Sequence, residues 1–140
     1  MRILITGGAG YIGSHTVLQF LRAGHGILVF DNFSSSAPQA LRHIKQLTNA
    51  DFKVCKGNIE NADRLSKAFS RFRPEAVIHF AGLKAVGESH KKPLEYYFQN
   101  VAGSITLLKK RQRHECPHIA VLSSATVYGP PVNPPYDEDQ

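Results

Sequence analysis

Four glycines near the start of the chain have the spacing of a phosphate-binding turn. Gly8, Gly10 and Gly13 form a G-x-G-x-x-G pattern, Gly7 precedes it, and residues 3–6 before them read as a buried strand. Glycines permit a tight strand-to-helix turn and let backbone N–H groups approach an anion. The N-terminus of the following helix adds about half a positive charge. In this strand–glycine–helix context the pattern predicts a dinucleotide site, although alone it is weak.

Polar side chains follow the second and third predicted strands. Asp31 lies 18 residues after Gly13 and could accept both hydroxyls of an adenosine ribose, while it would repel a 2′-phosphate. This favours NAD over NADP, unless Asp31 only turns a surface loop. Asn58 could accept a hydrogen bond from an adenine amino group, or it could satisfy local backbone.

Small residues and a cation follow the fourth predicted strand. Phe80, Ala81 and Gly82 end this strand, and small residues there would let a cofactor lie against the backbone. Lys84 could place a positive charge near the ribose or the phosphates, or it could be one more surface lysine. His79, inside the same apolar strand, is expected to be a core histidine with satisfied hydrogen bonds rather than a catalyst.

Hydroxyl side chains follow the fifth predicted strand. Ser124 and Thr126 lie where a hydroxyl facing a cofactor could hydrogen-bond a substrate hydroxyl or carbonyl. Taken alone, a Ser/Thr cluster is more often turn chemistry. No His or acidic residue is spaced to mark Ser124 as an acyl-transfer nucleophile.

Strands and helices alternate along the chain. Apolar runs predict strands at residues 3–6, 27–30, 52–55, 76–80 and 119–122, and helical spacing predicts helices at 11–23, 38–47, 62–72 and 94–110, with a loop at 130–140. This alternation predicts an α/β, Rossmann-like doubly wound parallel sheet with the strand order 3-2-1-4-5. Ligands of such sheets bind at the carboxyl ends of the strands, where the residues named above are predicted to lie.

Length and composition favour one globular, cytoplasmic domain. The chain has 140 residues, no apolar run near the roughly 20 that span a bilayer, and strand-forming residues from its start, so we expect no membrane or targeting segment. Its two cysteines have no C-x-x-C spacing, which favours a reduced chain without a metal. The net charge of +6 suggests a nucleic-acid partner. However, the basic run at 109–114 is more simply explained as a solvated helix end, and no recognition motif accompanies it.

Longer stretches match a known family. They are residues 5–16, 31–32, 77–89, 92–97 and 123–129. On these stretches the chain resembles the UDP-glucose 4-epimerases, extended short-chain dehydrogenases/reductases that bind NAD, from residue 1 to about residue 139. The glycine turn marks the superfamily only, whereas residues 79–89 are more specific to the epimerases.

The resemblance implies that residues 1–140 are a truncated NAD-binding Rossmann domain without the later strands and the C-terminal substrate domain. We therefore expect the apolar edge of strand 5 to be exposed. The implied cofactor contacts are Gly7, Gly10, Tyr11, Ile12, Gly13, Asp31, Asn32, Asn58, Ile59, Phe80, Ala81, Gly82, Lys84 and Gln99. The implied substrate contacts, to UDP-glucose or UDP-galactose, are Lys84, Ser124 and Thr126. A homodimer stays open, with its interface expected outside the chain.

The resemblance also implies a mechanism. In the family, a Tyr takes the proton from the sugar O4 and hydride passes from C4 to NAD; the keto sugar then turns over and hydride returns to its other face. Ser124 would be the hydroxyl member of the family's Ser/Thr–Tyr–Lys group. No Tyr-x-x-x-Lys occurs in the 140 residues. Because general acid–base catalysis contributes about 10²–10⁴-fold, we expect this chain alone not to epimerise.

Two positions depart from the family pattern, and other functions stay open. Asn58 and Gln99 stand where the family usually has Asp and Asn, which places the adenine contact and a second cofactor contact in question. One alternative is another nucleotide-sugar epimerase or a dehydratase, but residues 125–127 lack the Asp-Glu pair of the dehydratases. The others are a non-catalytic NAD-responsive or partner-binding module and, last, a nucleic-acid binder.

Overall fold

Five parallel strands form one sheet in the computed structural model, which describes residues 1–129. The strands are β1 (Arg2–Thr6), β2 (Gly26–Asp31), β3 (Lys53–Lys56), β4 (Ala76–His79) and β5 (His118–Val121). Their order is β3-β2-β1-β4-β5, and every neighbouring pair is parallel. The predicted fold class and strand order are confirmed. The loop predicted at 130–140 lies outside the described residues.

Within residues 1–129, six α-helices connect the strands. They are α1 (Tyr11–Arg22), α2 (Pro38–Thr48), α3 (Ala62–Phe72), α4 (Val86–Lys91), α5 (Pro93–Tyr97) and α6 (Gly103–Arg113). A π-helical turn (Phe98–Ala102) joins α5 to α6, and a 3₁₀ turn (Ala125–Tyr128) follows β5. Pro38 begins α2 because its fixed φ suits a first helical turn, and the Asn61 side chain caps α3 by accepting from Arg64 N.

Apolar side chains cover both faces of the sheet. One cluster joins Ile3, Ile5, Ile27 and Val29 of the strands to Val17, Leu41 and Ile44 of α1 and α2. The other joins Leu4, Leu28 and Phe30 to Leu65 and Phe69 of α3 and Leu107 of α6. Because successive strand residues point to opposite faces, a strand covered on both sides must be apolar throughout, as β1 and β2 are.

The helix predicted over residues 94–110 is confirmed as a continuous helical segment, but its interior contains a π-helical turn that was not predicted. The segment comprises α5, the π-helical turn and α6, and α4 precedes it where no helix was predicted. A π-helical turn inserts one extra residue into a helix, and such turns are frequent at functional sites. Here Asn100 lies within the turn and holds the backbone of Leu83 through two hydrogen bonds. Periodicity within the segment contains no signal for that contact.

Apolar side chains at the end of β5 are exposed. Val121 is 58% exposed, and Leu122, which follows the strand, is 40% exposed. The expected exposure of the strand's edge stays a prediction. Among residues 1–129, no helix combines the length and the apolar character that a membrane span requires.

His79 sits in a buried chain of hydrogen bonds. Its Nδ1 lies 2.6 Å from Thr6 Oγ1, and its Nε2 lies 2.9 Å from Ser104 Oγ. Ser104 Oγ donates to the carbonyl of Asn100 at 2.6 Å, so it accepts from Nε2–H of His79, and Nδ1 accepts from the Thr6 hydroxyl. The predicted satisfied core histidine is confirmed. Burial lowers the pKa of His79, which keeps the ring neutral.

We expect the chain to lose stability as the pH falls below about 6.5, where an unfolded histidine takes up a proton. The folded ring resists protonation, so the unfolded state binds more protons and the free energy of unfolding falls, by about 1.4 kcal/mol per unit of pKa difference. Urea unfolding at pH 7.5 and 5.5 measures this loss. His79→Gln should reduce the loss, whereas the same substitution at the exposed His43 should not. Equal losses in the wild type and His79→Gln would contradict the assignment.

Candidate functional site

A cavity of about 420 Å³ lies at the carboxyl ends of β1, β2 and β4. Its volume is within the range of small-molecule sites. Every predicted cofactor contact except Asn58 lines it: Gly7, Gly10, Tyr11, Ile12, Gly13, Asp31, Asn32, Ile59, Phe80, Ala81, Gly82, Lys84 and Gln99. The fold therefore brings together residues that are far apart in the sequence. Their individual contacts with a cofactor stay a prediction.

Two glycines of the turn are packed too closely for any side chain. Gly7 has φ +68°, and a Cβ atom on it would lie 2.6 Å from the backbone N of Ala81. A Cβ atom on Gly13 would lie 2.3 Å from the carbonyl O of Gly7. The first contact brings the turn against the end of β4, and the second brings α1 against the turn. Both contacts are made by backbone, which cannot move aside as a side chain can.

The N-terminus of α1 faces the cavity with its backbone donors uncapped by any side chain. Gly10 is the N-cap residue, and within the described part of the chain no side chain caps it and no acidic residue lies in the first turn. The first N–H groups of a helix have no partner inside the helix, and the helix dipole makes this end positive. Tyr11, Ile12 and Gly13 of that turn line the cavity. A bound anion would supply the acceptor that the turn lacks.

Asp31 joins the glycine turn to the loop after β2. Its Oδ2 accepts from Ala9 N at 2.9 Å, and its Oδ1 accepts from Phe33 N at 2.8 Å and from Ser36 Oγ at 3.1 Å. The residue is buried, with 7% of its surface exposed. A carboxylate has about four acceptor positions, so these bonds leave room for one ribose hydroxyl. A second hydroxyl would compete with Ser36.

Asn58 lines a second cavity beside the first, together with Asn32, Lys56, Gly57, Asn61 and Arg64. Its Oδ1 is buried and has no hydrogen-bond partner among residues 1–129. A buried acceptor left unpaired costs about 1–3 kcal/mol, which a ligand N–H donor would recover. The contact of this oxygen with an adenine amino group stays a prediction, and it requires the side chain to turn its buried oxygen toward the cavity.

The opposite wall of the cavity contains residues that sequence reasoning missed. The Tyr96 hydroxyl lies 3.0 Å from the carbonyl O of Ala85 and 2.9 Å from Glu88 Oε2. Burial and then the hydrogen bond to Glu88 raise the pKa of Tyr96, which keeps the hydroxyl protonated as a donor. Residues 34–36 also line the cavity. No glycine pattern or strand end marks these side chains, although Glu88 and Tyr96 fall within the stretches that match the family.

Neither of the two predicted substrate hydroxyls, Ser124 and Thr126, is seen to line this cavity. The Ser124 side chain is exposed after β5 and does not line the cavity. The side chain of Thr126 is outside what the structure describes. Lys84 is exposed on the cavity wall. The substrate and catalytic roles of these residues stay predictions.

Within residues 1–129, no three His, Cys, Asp or Glu side chains group as metal ligands would.

Comparisons with known proteins agree with this architecture. The family described as GDP-mannose 4,6 dehydratase matches residues 4–140. UDP-glucose 4-epimerase of Haemophilus influenzae is 48% identical over 139 residues, which are 99% of this chain and 41% of the relative. The Dictyostelium discoideum UDP-glucose 4-epimerase is 45% identical, over 99% of this chain and 40% of that protein.

Solved structures give the same match. The UDP-glucose 4-epimerase of Bifidobacterium longum, in complex with NAD⁺ and UDP, superposes with a TM-score of 0.95 at 40% identity, covering 99% of this chain and 42% of that one. The Brucella ovis enzyme in complex with NAD gives a TM-score of 0.88 at 33% identity, over 99% of this chain and 40% of that one. The chain therefore spans about two fifths of the length of the relatives it matches.

We expect Gly13→Ala to destabilise the chain by at least the roughly 1–3 kcal/mol that overpacking costs, because the new methyl group would meet a backbone oxygen. Gly87→Ala is the matched control. Gly87 lies in α4 with no atom within 4 Å of a Cβ on it, so alanine should be neutral or stabilising by up to about 1 kcal/mol. Urea unfolding of both variants measures the difference. Wild-type stability in Gly13→Ala would contradict the close packing of α1 on the turn.

Proposed function

The chain belongs to the family described as GDP-mannose 4,6 dehydratase, and we propose that within it this chain is the NAD-binding part of a UDP-glucose 4-epimerase. Such an enzyme interconverts UDP-glucose and UDP-galactose. The observation that carries the proposal is that one cavity at the strand ends is lined by nearly every residue expected to contact NAD. The names of the relatives support the epimerase over the other activities of the family.

The adenosine half of NAD has a place for each of its polar groups. The pyrophosphate would lie at the uncapped N-terminus of α1, the ribose at Asp31 and the adenine amino group at the unpaired oxygen of Asn58. The helix N-terminus offers N–H donors to the pyrophosphate anion, Asp31 offers a carboxylate to the ribose hydroxyls, and Asn58 offers an acceptor to the amino group. Each therefore complements its ligand group in charge and hydrogen bonding. The buried Asp31 carboxylate disfavours the 2′-phosphate of NADP.

The nicotinamide half would lie along residues 80–82, with Lys84 and Gln99 beside its ribose. When bound, NAD supplies the acceptor for hydride from C4 of the sugar. Ser124 would donate a hydrogen bond to the sugar oxygen that loses its proton, and Thr126 would help hold the sugar. A Tyr and a Lys outside these 140 residues would complete the catalytic group in the longer protein.

We propose further that residues 1–140 are one NAD-binding domain of that longer, cytoplasmic protein, whose partners are UDP-sugars. Cys55 and Cys116 are free thiols, which suits a reducing compartment.

We expect NAD to raise the melting temperature of the 140-residue chain, because a ligand that binds only the folded state stabilises it, by about 2.7 kcal/mol at 100 times its Kd. NADP should raise it less because Asp31 repels the 2′-phosphate. Asp31→Asn should weaken the response to NAD, whereas Asp51→Asn, at a fully exposed carboxylate, should not. Thermal unfolding during titration with each nucleotide measures these shifts. No response to millimolar NAD, or equal responses to both nucleotides, would contradict the proposed site.

We expect the 140-residue chain to show no epimerisation of UDP-galactose even with NAD, because a positioned base for the O4 proton is missing. A coupled assay for UDP-glucose measures turnover, with the full-length Haemophilus influenzae enzyme as the positive control. Ser124→Ala separates true turnover from contamination. Turnover by the wild type that disappears in this variant would contradict the expectation and would show that the chain carries its own base.

A further inference from the structure

The wall of the cavity between β4 and α4 is held by one side chain that does not line the cavity. Asn100 Oδ1 accepts from Leu83 N at 2.8 Å, and Asn100 Nδ2 donates to Leu83 O at 2.9 Å. Leu83 lies in the middle of the loop at residues 80–85, and every residue of that loop lines the cavity. The amide of Asn100 thus satisfies both backbone groups of Leu83, as a neighbouring strand would.

Asn100 is itself fixed by the buried chain that begins in the sheet. Ser104 Oγ donates to the carbonyl O of Asn100 at 2.6 Å, and Ser104 is bonded in turn to His79 of β4. The π-helical turn (Phe98–Ala102) contains Asn100 next to Gln99, which lines the cavity. A Cβ atom on Gly82 would lie 3.3 Å from Asn100 Oδ1, so the loop and the amide are in close approach.

We propose that Asn100 is a positioning residue: its side-chain amide sets the conformation of the loop at 80–85 and thereby places Lys84 and the backbone of residues 80–82 for the cofactor. The role requires one donor and one acceptor at fixed spacing, which an amide of this length provides. Asn100 acts through Leu83 and makes no contact of its own with the ligand. The effect on cofactor binding rests on the proposed function; the clamp on Leu83 does not.

The Asn100→Asp variant tests whether residue 100 must donate a hydrogen bond to Leu83 O. Only the protonated form of its carboxyl group can do so. A carboxylate would accept from Leu83 N but repel Leu83 O, whereas a protonated carboxyl would restore the donation. The Leu83 N–H favours the ionised form, whereas the carbonyl of Leu83 and the partly buried position disfavour it, so the carboxyl protonates more readily than an exposed one only where the latter two dominate. Relative to the wild type at the same pH, NAD should bind about tenfold more weakly at pH 7.5 and regain most of that loss at pH 5.

Two matched variants complete the titration. Asn100→Ala has neither donor nor acceptor, so its weaker binding of NAD should stay the same at both pH values. Asn49→Asp makes the same chemical change at the exposed end of α2 and should bind NAD as the wild type does. If Asn100→Asp binds NAD as tightly as the wild type at pH 7.5, or loses affinity without recovery at pH 5, the positioning role is overturned.

Amide hydrogen exchange tests the clamp without any nucleotide. The Leu83 amide should be protected in the wild type and exchange at least about tenfold faster in Asn100→Ala. The Phe80 amide, which donates to Thr6 O in the sheet, should keep its protection in both. An unprotected Leu83 amide in the wild type would overturn the clamp even if every variant failed to fold. Failure of the wild type to bind NAD, with Leu83 protected, would overturn the proposed function and leave the clamp.

Discussion

The contact between the glycine turn and the end of β4 is the constraint on which the site depends. Gly7 approaches the backbone of Ala81 so closely that even a methyl group could not fit between them. This contact brings together the carboxyl ends of β1 and β4, where the connections of the sheet leave in opposite directions and a crevice forms. A side chain at this point would fill the crevice. The absence of a Cβ atom on Gly7 therefore allows β1 and β4 to approach closely and also leaves space for the cavity.

A second constraint runs through polar atoms inside the apolar core. Thr6, immediately before the glycine turn, is bonded to His79, and through Ser104 this chain reaches the carbonyl of Asn100. Buried polar groups are costly unless each has its partner, so such a network allows few alternative arrangements. The two walls of the cavity, the turn after β1 and the loop after β4, are therefore fixed to one another by hydrogen bonds as well as by packing.

The sequence predicts the parts of this site that local rules decide. The glycine turn, Asp31 at the end of β2 and the strand order follow from turn chemistry, apolar runs and the topology of alternating units. The π-helical turn, α4 and the hydrogen bonds of Asn100 and Tyr96 do not. Each of these depends on a partner from another element, such as Leu83 for Asn100, and periodicity within one segment contains no information about it. The hydrogen bond from Ser36 to Asp31 is likewise absent from any local pattern.

The exchange of Asp for Asn at position 58, relative to the family pattern, changes the adenosine end in a way the geometry makes specific. Lys56 and Arg64 line the same second cavity as Asn58, so an aspartate there would interact favourably with both cations. Asn58 retains the acceptor but removes that charge, and its oxygen stays buried without a donor. Under the proposed function, attraction to the base would depend on one neutral hydrogen bond, which is about half as strong as a charge-assisted one. The pyrophosphate at α1 and the ribose at Asp31 would then contribute a larger share of the affinity.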